Sequence, residues 1–172
     1  MSEIAGQHVL ITGGASGIGR LMAKKLAALG CRISVWDIHR QNLDTVVAEL
    51  NAAAGGSAQG FLCDVSKRAV VYRAAEETRA AAGAVDILIN NAGVVSGARL
   101  LDLPDDKIEA TLAINIGSLF WTAKAFLPQM IERNRGHVVT IASAAGLIGV
   151  AKLTDYATSK WAAVGFDESL RA

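Results

Sequence analysis

Tyr156 and Lys160 stand four positions apart, so on a helix their side chains rise on one face. A tyrosine titrates at about 10 when unperturbed, and a nearby ammonium favours its phenolate, bringing it toward a working acid/base at neutral pH. Such a pair alone is equally ordinary amphipathic helix surface, so its meaning depends on the rest of the chain. Ser143 closes an apolar run, where a hydroxyl at a strand end can orient a carbonyl or an alcohol. Thr12-Gly13-Gly14-Ala15-Ser16-Gly17-Ile18-Gly19 lies between an apolar run and a helical pattern, where backbone amides and the helix dipole can hold a pyrophosphate. Its spacing is T-G-x-x-x-G-x-G. The common G-x-G-x-x-G fingerprint fails, because Met22 takes the third glycine position. Read alone, this turn also suits tight packing.

Asp37 follows Gly17 by 20 positions, where a carboxylate can accept hydrogen bonds from the adenosine ribose and repel a 2′-phosphate. NAD is therefore expected in preference to NADP. The absence of a basic side chain within the glycine turn itself, where Ser16 stands, agrees, while Arg40 lies close enough to complicate the choice. Asp64 reads either as a ligand for the adenine amino group or as a turn aspartate.

These groups need elements to carry them. His8–Thr12, Arg32–Asp37, Gly60–Val65, Val85–Asn90 and His137–Ser143 are short apolar runs of the kind that form buried strands. Between them the spacing predicts helices. One carries Ile18, Leu21, Met22, Leu26 and Leu29 and ends at Gly30 in a left-handed cap; others cover 42–54 and 67–82. A long helix starts at Pro104 with Asp105 and Asp106 in its first turn, runs to about Ile131, and is kinked or ended by Pro128. Asp155 is expected to cap a last helix carrying Tyr156 and Lys160. Strands alternating with amphipathic helices specify an α/β fold, a doubly wound parallel sheet of the Rossmann type in the order 3-2-1-4-5. A ligand then sits at the carboxyl edge, between strands one and four. The whole chain, 1–172, reads as one dinucleotide-binding domain.

Composition narrows the function. A net charge of +1, from 17 basic and 16 acidic residues, makes nucleic acid an unsuitable partner. Cys31 and Cys63 are too few and too far apart for a metal cluster, and His8, His39 and His137 are scattered, so reduced thiols and no metal are expected. Uninterrupted apolar runs fall short of the roughly 20 residues a membrane span needs, and the start lacks a basic, hydrophobic leader. A cytoplasmic protein without a membrane partner follows as the expectation.

The glycine motif, Asn90-Asn91-Ala92-Gly93, Asn115, Ser143 and Tyr156-x-x-x-Lys160 occur in one order and spacing, and with them the chain resembles the short-chain dehydrogenase/reductase family. The resemblance implies an NAD(P)-dependent oxidoreductase interconverting an alcohol and a carbonyl compound. By it, Tyr156 is the acid/base, Lys160 lowers its pKa and binds the nicotinamide ribose, Ser143 positions the substrate oxygen, and Asn115 anchors a relay water. The implied cofactor set is Gly13, Ser16, Gly17, Ile18, Gly19, Asp37, Asp64, Val65, Asn91, Ala92, Gly93, Tyr156 and Lys160. Family members commonly form homo-oligomers, dimers or tetramers, through the Asn115 and Tyr156 helices. They also continue past this length with a sixth and a seventh strand, so the chain is expected to be C-terminally incomplete and, by itself, prone to associate.

Val94, Val95, Leu147, Ile148, Val150 and Leu153 suggest an apolar secondary alcohol or ketone, or else belong to the core. The segment 136–170 resembles retinol and hydroxysteroid dehydrogenases. A reductase of small polar carbonyls or acyl thioesters, or a silent dinucleotide-binding module, are the alternative readings.

Overall fold

The computed structural model describes residues 4–52 and 57–172. Five parallel strands, β1 (His8–Thr12), β2 (Arg32–Asp37), β3 (Ala58–Leu62), β4 (Ile87–Asn90) and β5 (His137–Thr140), form one sheet in the order β3-β2-β1-β4-β5. This is the expected doubly wound order. β1 is central and buried along its whole length, which is why its five residues carry no outward polar alternation. Helices α1 (Gly17–Ala28) and α2 (Arg40–Ala52) pack with Val9, Ile11, Ile33, Val35, Leu43 and Val46. α3 (Arg68–Ala82) and α5 (Ser118–Glu132) cover the opposite set, Leu10, Trp36, Val71, Leu88 and Phe126. Successive β1 residues thus feed two cores, as the two-residue strand period requires.

Several boundaries differ from the sequence expectation for local reasons. β3 runs over Ala58–Leu62 rather than Gly60–Val65, because Asn51 grips Ala58 with both amide atoms, at 2.8 and 2.9 Å. The expected end of α2 at Ala54 lies outside the described residues. β4 starts at Ile87, after Asp86 has turned its carboxylate onto the His8 N–H, 3.0 Å away. β5 stops at Thr140 rather than Ser143, since the Ile141 carbonyl accepts instead from the Lys160 ammonium at 2.7 Å. Gly30, with φ +84°, ends α1 as expected: its N–H reaches the Ala27 carbonyl and that of Cys31 reaches Leu26, closing a Schellman turn.

The long helix is three pieces in one rod. α4 (Asp105–Leu112) starts after Pro104, passes into a π-helical turn over Ala113–Gly117, and continues as α5. Pro128 does not end it: the exposed proline sits within α5. A helix-interior proline costs about 3 kcal/mol, which the burial of Phe126 and Met130 on the opposite face offsets. The 28-residue rod Asp105–Glu132 is long and apolar enough to cross a bilayer by length and composition, contrary to the expectation of no such segment. Its apolar residues Leu119, Ala123, Phe126 and Met130 are instead buried in the fold. α6 (Thr154–Arg171) completes the described elements.

At the amino edge of the sheet, His8 is fully buried, with Nδ1 3.0 Å from the Ala84 carbonyl and Nε2 2.8 Å from Ser34 Oγ. The neutral ring suits both contacts when Nδ1 donates and Nε2 accepts. Burial, aided by Arg32, pushes its pKa below the ordinary value against the raising effects of the Ala84 carbonyl and Asp86. The unfolded chain therefore takes up the proton first. Stability is expected to fall as pH drops through about 6.5, the unfolded histidine value. Urea midpoints between neutral and mildly acidic pH check this; a midpoint that does not fall with pH would sink it.

Candidate active site

The glycine turn is built by close approach. A Cβ on Gly19 would lie 2.3 Å from the Gly13 carbonyl oxygen and 2.6 Å from Asn91 Nδ2, so only glycine fits where α1 enters under the loop. Gly17 has φ +50° and open space at the same test, the geometry expected of a backbone that a ligand approaches. Asn91 Nδ2 donates to the carbonyls of Thr12 (2.9 Å) and Gly13 (3.1 Å), while Thr12 Oγ1 accepts from the N–H groups of Asn91 (3.0 Å) and Ala92 (3.1 Å). These bonds tie the ends of β1 and β4 together. Ser16 precedes α1 without capping it through its side chain, which leaves the helix start without a side-chain acceptor.

Around this turn lies a cleft of about 390 Å3, lined by Gly13, Ser16, Gly17, Ile18, Asp37, Asp64, Val65, Asn91, Ala92 and Gly93. Gly19 is absent from the lining because it packs beneath it. Ile38, His39, Cys63 and Ile114 also line the cleft without having been read from the sequence as site residues, and Val94, read there as substrate lining or core, lines it too. Their sequence neighbours Asp37, Asp64, Gly93 and Asn115 were the signal available for them. The Cys63 thiol is pushed up to about 12, by burial first and by the Asp64 charge second, so it is no nucleophile.

Asp37 braces the turn as well as facing the cleft. Its Oδ2 accepts from the Ala15 N–H and its Oδ1 from the His39 N–H, each at 3.0 Å, leaving lone pairs for a further donor. Asp64 Oδ1 accepts from the N–H and hydroxyl of Ser66, at 3.0 and 2.6 Å, the turn role that the sequence left open. Arg40 pairs with Asp44 at 3.6 Å on the exposed side of α2. Among the described residues lining the cleft, no lysine or arginine occurs. The residues present thus fit a dinucleotide: a turn a backbone can close on phosphate, an uncapped helix start, and a strand-end carboxylate.

Lys160 brings the second half of the site to this cleft. It is buried, its Nζ is 5.7 Å from the centroid of the half-buried Tyr156 ring, and a Cβ on Gly93 would come within 3.8 Å of it. Burial pushes the ammonium below its ordinary pKa. Ser143 begins the 3-10 turn Ala144–Gly146, with Oγ accepting from the Ala145 N–H at 3.2 Å. That turn is pressed onto α6, since a Cβ on Gly146 would meet the Lys160 carbonyl at 2.7 Å.

Asn115 sits in the π turn, and all of its amide hydrogens are committed. Nδ2 donates to the Val94 carbonyl and to Ser159 Oγ, both at 2.9 Å, and Oδ1 accepts from the Val94 N–H at 2.9 Å. Any water at this residue must be held through an acceptor atom. Asp155 is not the helix cap expected of it: Leu153 holds that position, and the Asp155 carboxylate accepts from Ser96 and Thr111 hydroxyls.

The apolar residues that follow Gly93 and Ser143 in the chain are largely exposed. Val94, Val95, Leu147, Ile148 and Val150 are between 40% and 67% exposed, so these five are not core residues, and Leu153 is half-buried.

The sequence model of the short chain dehydrogenase family matches residues 7–172. The chain is 46% identical over 168 residues to epidermal retinol dehydrogenase 2 of Mus musculus, covering 98% of this chain and 54% of that protein. The chain thus spans about half the length of the curated relatives it matches. Among solved structures, it is similar to a short chain dehydrogenase/reductase of Burkholderia phymatum in complex with NAD, with a TM-score of 0.94 at 34% identity, over 99% of this chain and 60% of that one. It is also similar in form to a metagenomic short-chain oxidoreductase in complex with NADP, with a TM-score of 0.91 at 36% identity, over 98% of this chain and 76% of that one.

Replacing Gly19 by alanine is expected to displace the turn and weaken dinucleotide binding by roughly five- to 150-fold, the equivalent of an overpacking cost of about 1–3 kcal/mol. Calorimetric titration of NAD and NADP into the full-length protein checks this, and unchanged affinity for both would contradict it.

Proposed function

Because the chain belongs to the short-chain dehydrogenase family, we propose that it forms the cofactor-binding and catalytic part of an oxidoreductase that interconverts an apolar alcohol and its carbonyl compound. The observation that carries this reading is the position of Lys160, beside both Tyr156 and Gly93 of the dinucleotide cleft. Gly13, Ser16, Gly17 and Ile18 would hold the phosphates, Asp37 the adenosine ribose, and Asn91, Ala92, Gly93 and Lys160 the nicotinamide end. When bound, the nicotinamide supplies or accepts the hydride. Tyr156 takes the hydroxyl proton during oxidation and returns it during reduction. The Lys160 ammonium, with little water around it to screen its charge, stabilises the phenolate that accepts the proton in oxidation and that is left once the proton is donated in reduction. Ser143 orients the substrate oxygen by a hydrogen bond.

Asp37, together with a cleft lining that holds no lysine or arginine, supports NAD rather than NADP, because a 2′-phosphate would meet a carboxylate with neither side chain opposite it. The exposed apolar residues after Gly93 and after Ser143 support a hydrophobic substrate, and the similarity to a protein named for retinol points the same way. Small polar carbonyls and acyl thioesters match those exposed apolar residues less well. Self-association belongs to the same reading: an apolar groove between α5 and α6 holds Phe120, 48% exposed and edge-on to Phe166 at 5.2 Å.

In the full-length protein, Tyr156→Phe is expected to lower turnover by roughly 10²–10⁴-fold, the range of general acid/base catalysis, with dinucleotide affinity little changed. The assay follows reduction of NAD and of NADP with retinol and a panel of secondary alcohols. Equal turnover before and after the change would leave a dinucleotide-binding module, and faster reaction with NADP would overturn the reading of Asp37. Phe120→Glu is expected to shift the full-length protein toward a smaller assembly in light scattering, whereas an unchanged mass would remove the α5–α6 groove as the contact.

A further inference from the structure

We propose that Asp155 is a positioning residue of this site: with Thr111, Asn115 and Ser159 it forms a buried polar ladder that sets the rotation of α6 and locks the 94–96 loop beside Tyr156. The ladder has two rungs between the α4–π rod and α6. Thr111 Oγ1 donates to Asp155 Oδ2 at 2.9 Å, and Asn115 Nδ2 donates to Ser159 Oγ at 2.9 Å. On each helix the two residues are one turn apart, so both rungs lie on one face of each. Two further bonds carry the loop after β4. Ser96 Oγ donates to Asp155 Oδ1 at 2.7 Å, and Asn115 holds both the N–H and the carbonyl of Val94. Ser159 Oγ in turn lies 2.6 Å from the Tyr156 carbonyl and donates to it.

The spacing makes this functional geometry. Tyr156 and Lys160 each follow a ladder residue by one position, so they occupy the neighbouring helix face, about 100° around the axis. Rungs at Asp155 and Ser159 therefore decide where Tyr156 and Lys160 face. Asp155 is 5% exposed, and no cation pairs with it among the described residues. Burial alone would raise its pKa; the Ser96 and Thr111 hydroxyls and nearby backbone N–H groups outweigh this and hold the carboxyl below its ordinary value. A buried carboxylate is tolerated only when hydrogen-bonded, so losing one hydroxyl disturbs the whole joint. The role rests on the catalytic reading of Tyr156 given above.

The test is made in the full-length protein with Asp155→Ala, Thr111→Val and Thr111→Ser, measuring kcat, the KM for the dinucleotide, and hydrogen exchange of the amides at 94–97. Asp155→Ala and Thr111→Val are expected to lower kcat by roughly ten- to a hundredfold, the cost of a misplaced catalytic group, with the dinucleotide KM unchanged and exchange at 94–97 faster. Thr111→Ser, which keeps the hydroxyl, is expected to restore kcat. Unchanged kcat in Asp155→Ala, a KM that rises in step with the loss, or equal losses in Thr111→Ser and Thr111→Val would each overturn the proposal. If the unsubstituted protein turns over no alcohol, the catalytic reading fails instead. The ladder is then judged by exchange alone, with unaltered protection at 94–97 in Thr111→Val refuting it.

Discussion

The hydrogen bonds between Thr12 and Asn91 join β1 to β4 at the point where the winding of the sheet reverses. A crevice opens there by topology, since the crossovers on either side run to opposite faces. Whether it becomes a site depends on how near the two strand ends lie. Thr12 answers two N–H groups of the β4 end, and Asn91 answers two carbonyls of the β1 end, which leaves no room beneath the turn for any side chain at Gly19. The turn, the α1 start and the floor of the cleft all take their positions from this contact. Asp37 braces it from β2 through the Ala15 N–H.

The other half of the site hangs on α6, which reaches the cleft by polar contacts. Lys160 donates to the carbonyl of Ile141 just past β5, and Asp155 and Ser159 face Thr111 and Asn115. Apolar packing is tolerant of small rotations, whereas a hydrogen bond weakens steeply as its angle closes. A polar joint at this place holds direction as well as contact. The π turn serves the same end, because its wider winding shifts Asn115 toward Val94 and Ser159 before α5 resumes.

Charge is used sparingly in the interior. Asp86 combines the His8 N–H with Arg133, while Asp155 is held by hydroxyls and backbone N–H groups. Lys160 is the buried cation of the site, and its neighbours are a carbonyl and the Tyr156 ring rather than a carboxylate. Its positive charge is therefore not neutralised locally and acts on whatever negative charge appears beside it.

How much of this was legible in the sequence follows from the range of the forces involved. Buried strands and amphipathic helices are written in local periodicity, and glycine spacing marks a turn that only glycine can form, so the strand order and many of the residues lining the cleft beside that turn could be read from the chain. Strand ends could not, because side chains distant in sequence decide them: Asn51 for β3 and Lys160 for β5. Pro128 reads as a helix breaker until the burial of Phe126 and Met130 is known. Asp155 reads as a cap because capping is a local rule, yet its hydroxyl donors lie 44 and 59 positions away. The sequence by itself determined the fold class, the family resemblance and the residue types from which the proposed chemistry is built. Only the tertiary structure decided which of their polar atoms are committed to holding one another, since a buried donor or acceptor takes its partner from whatever the fold brings within hydrogen-bond distance.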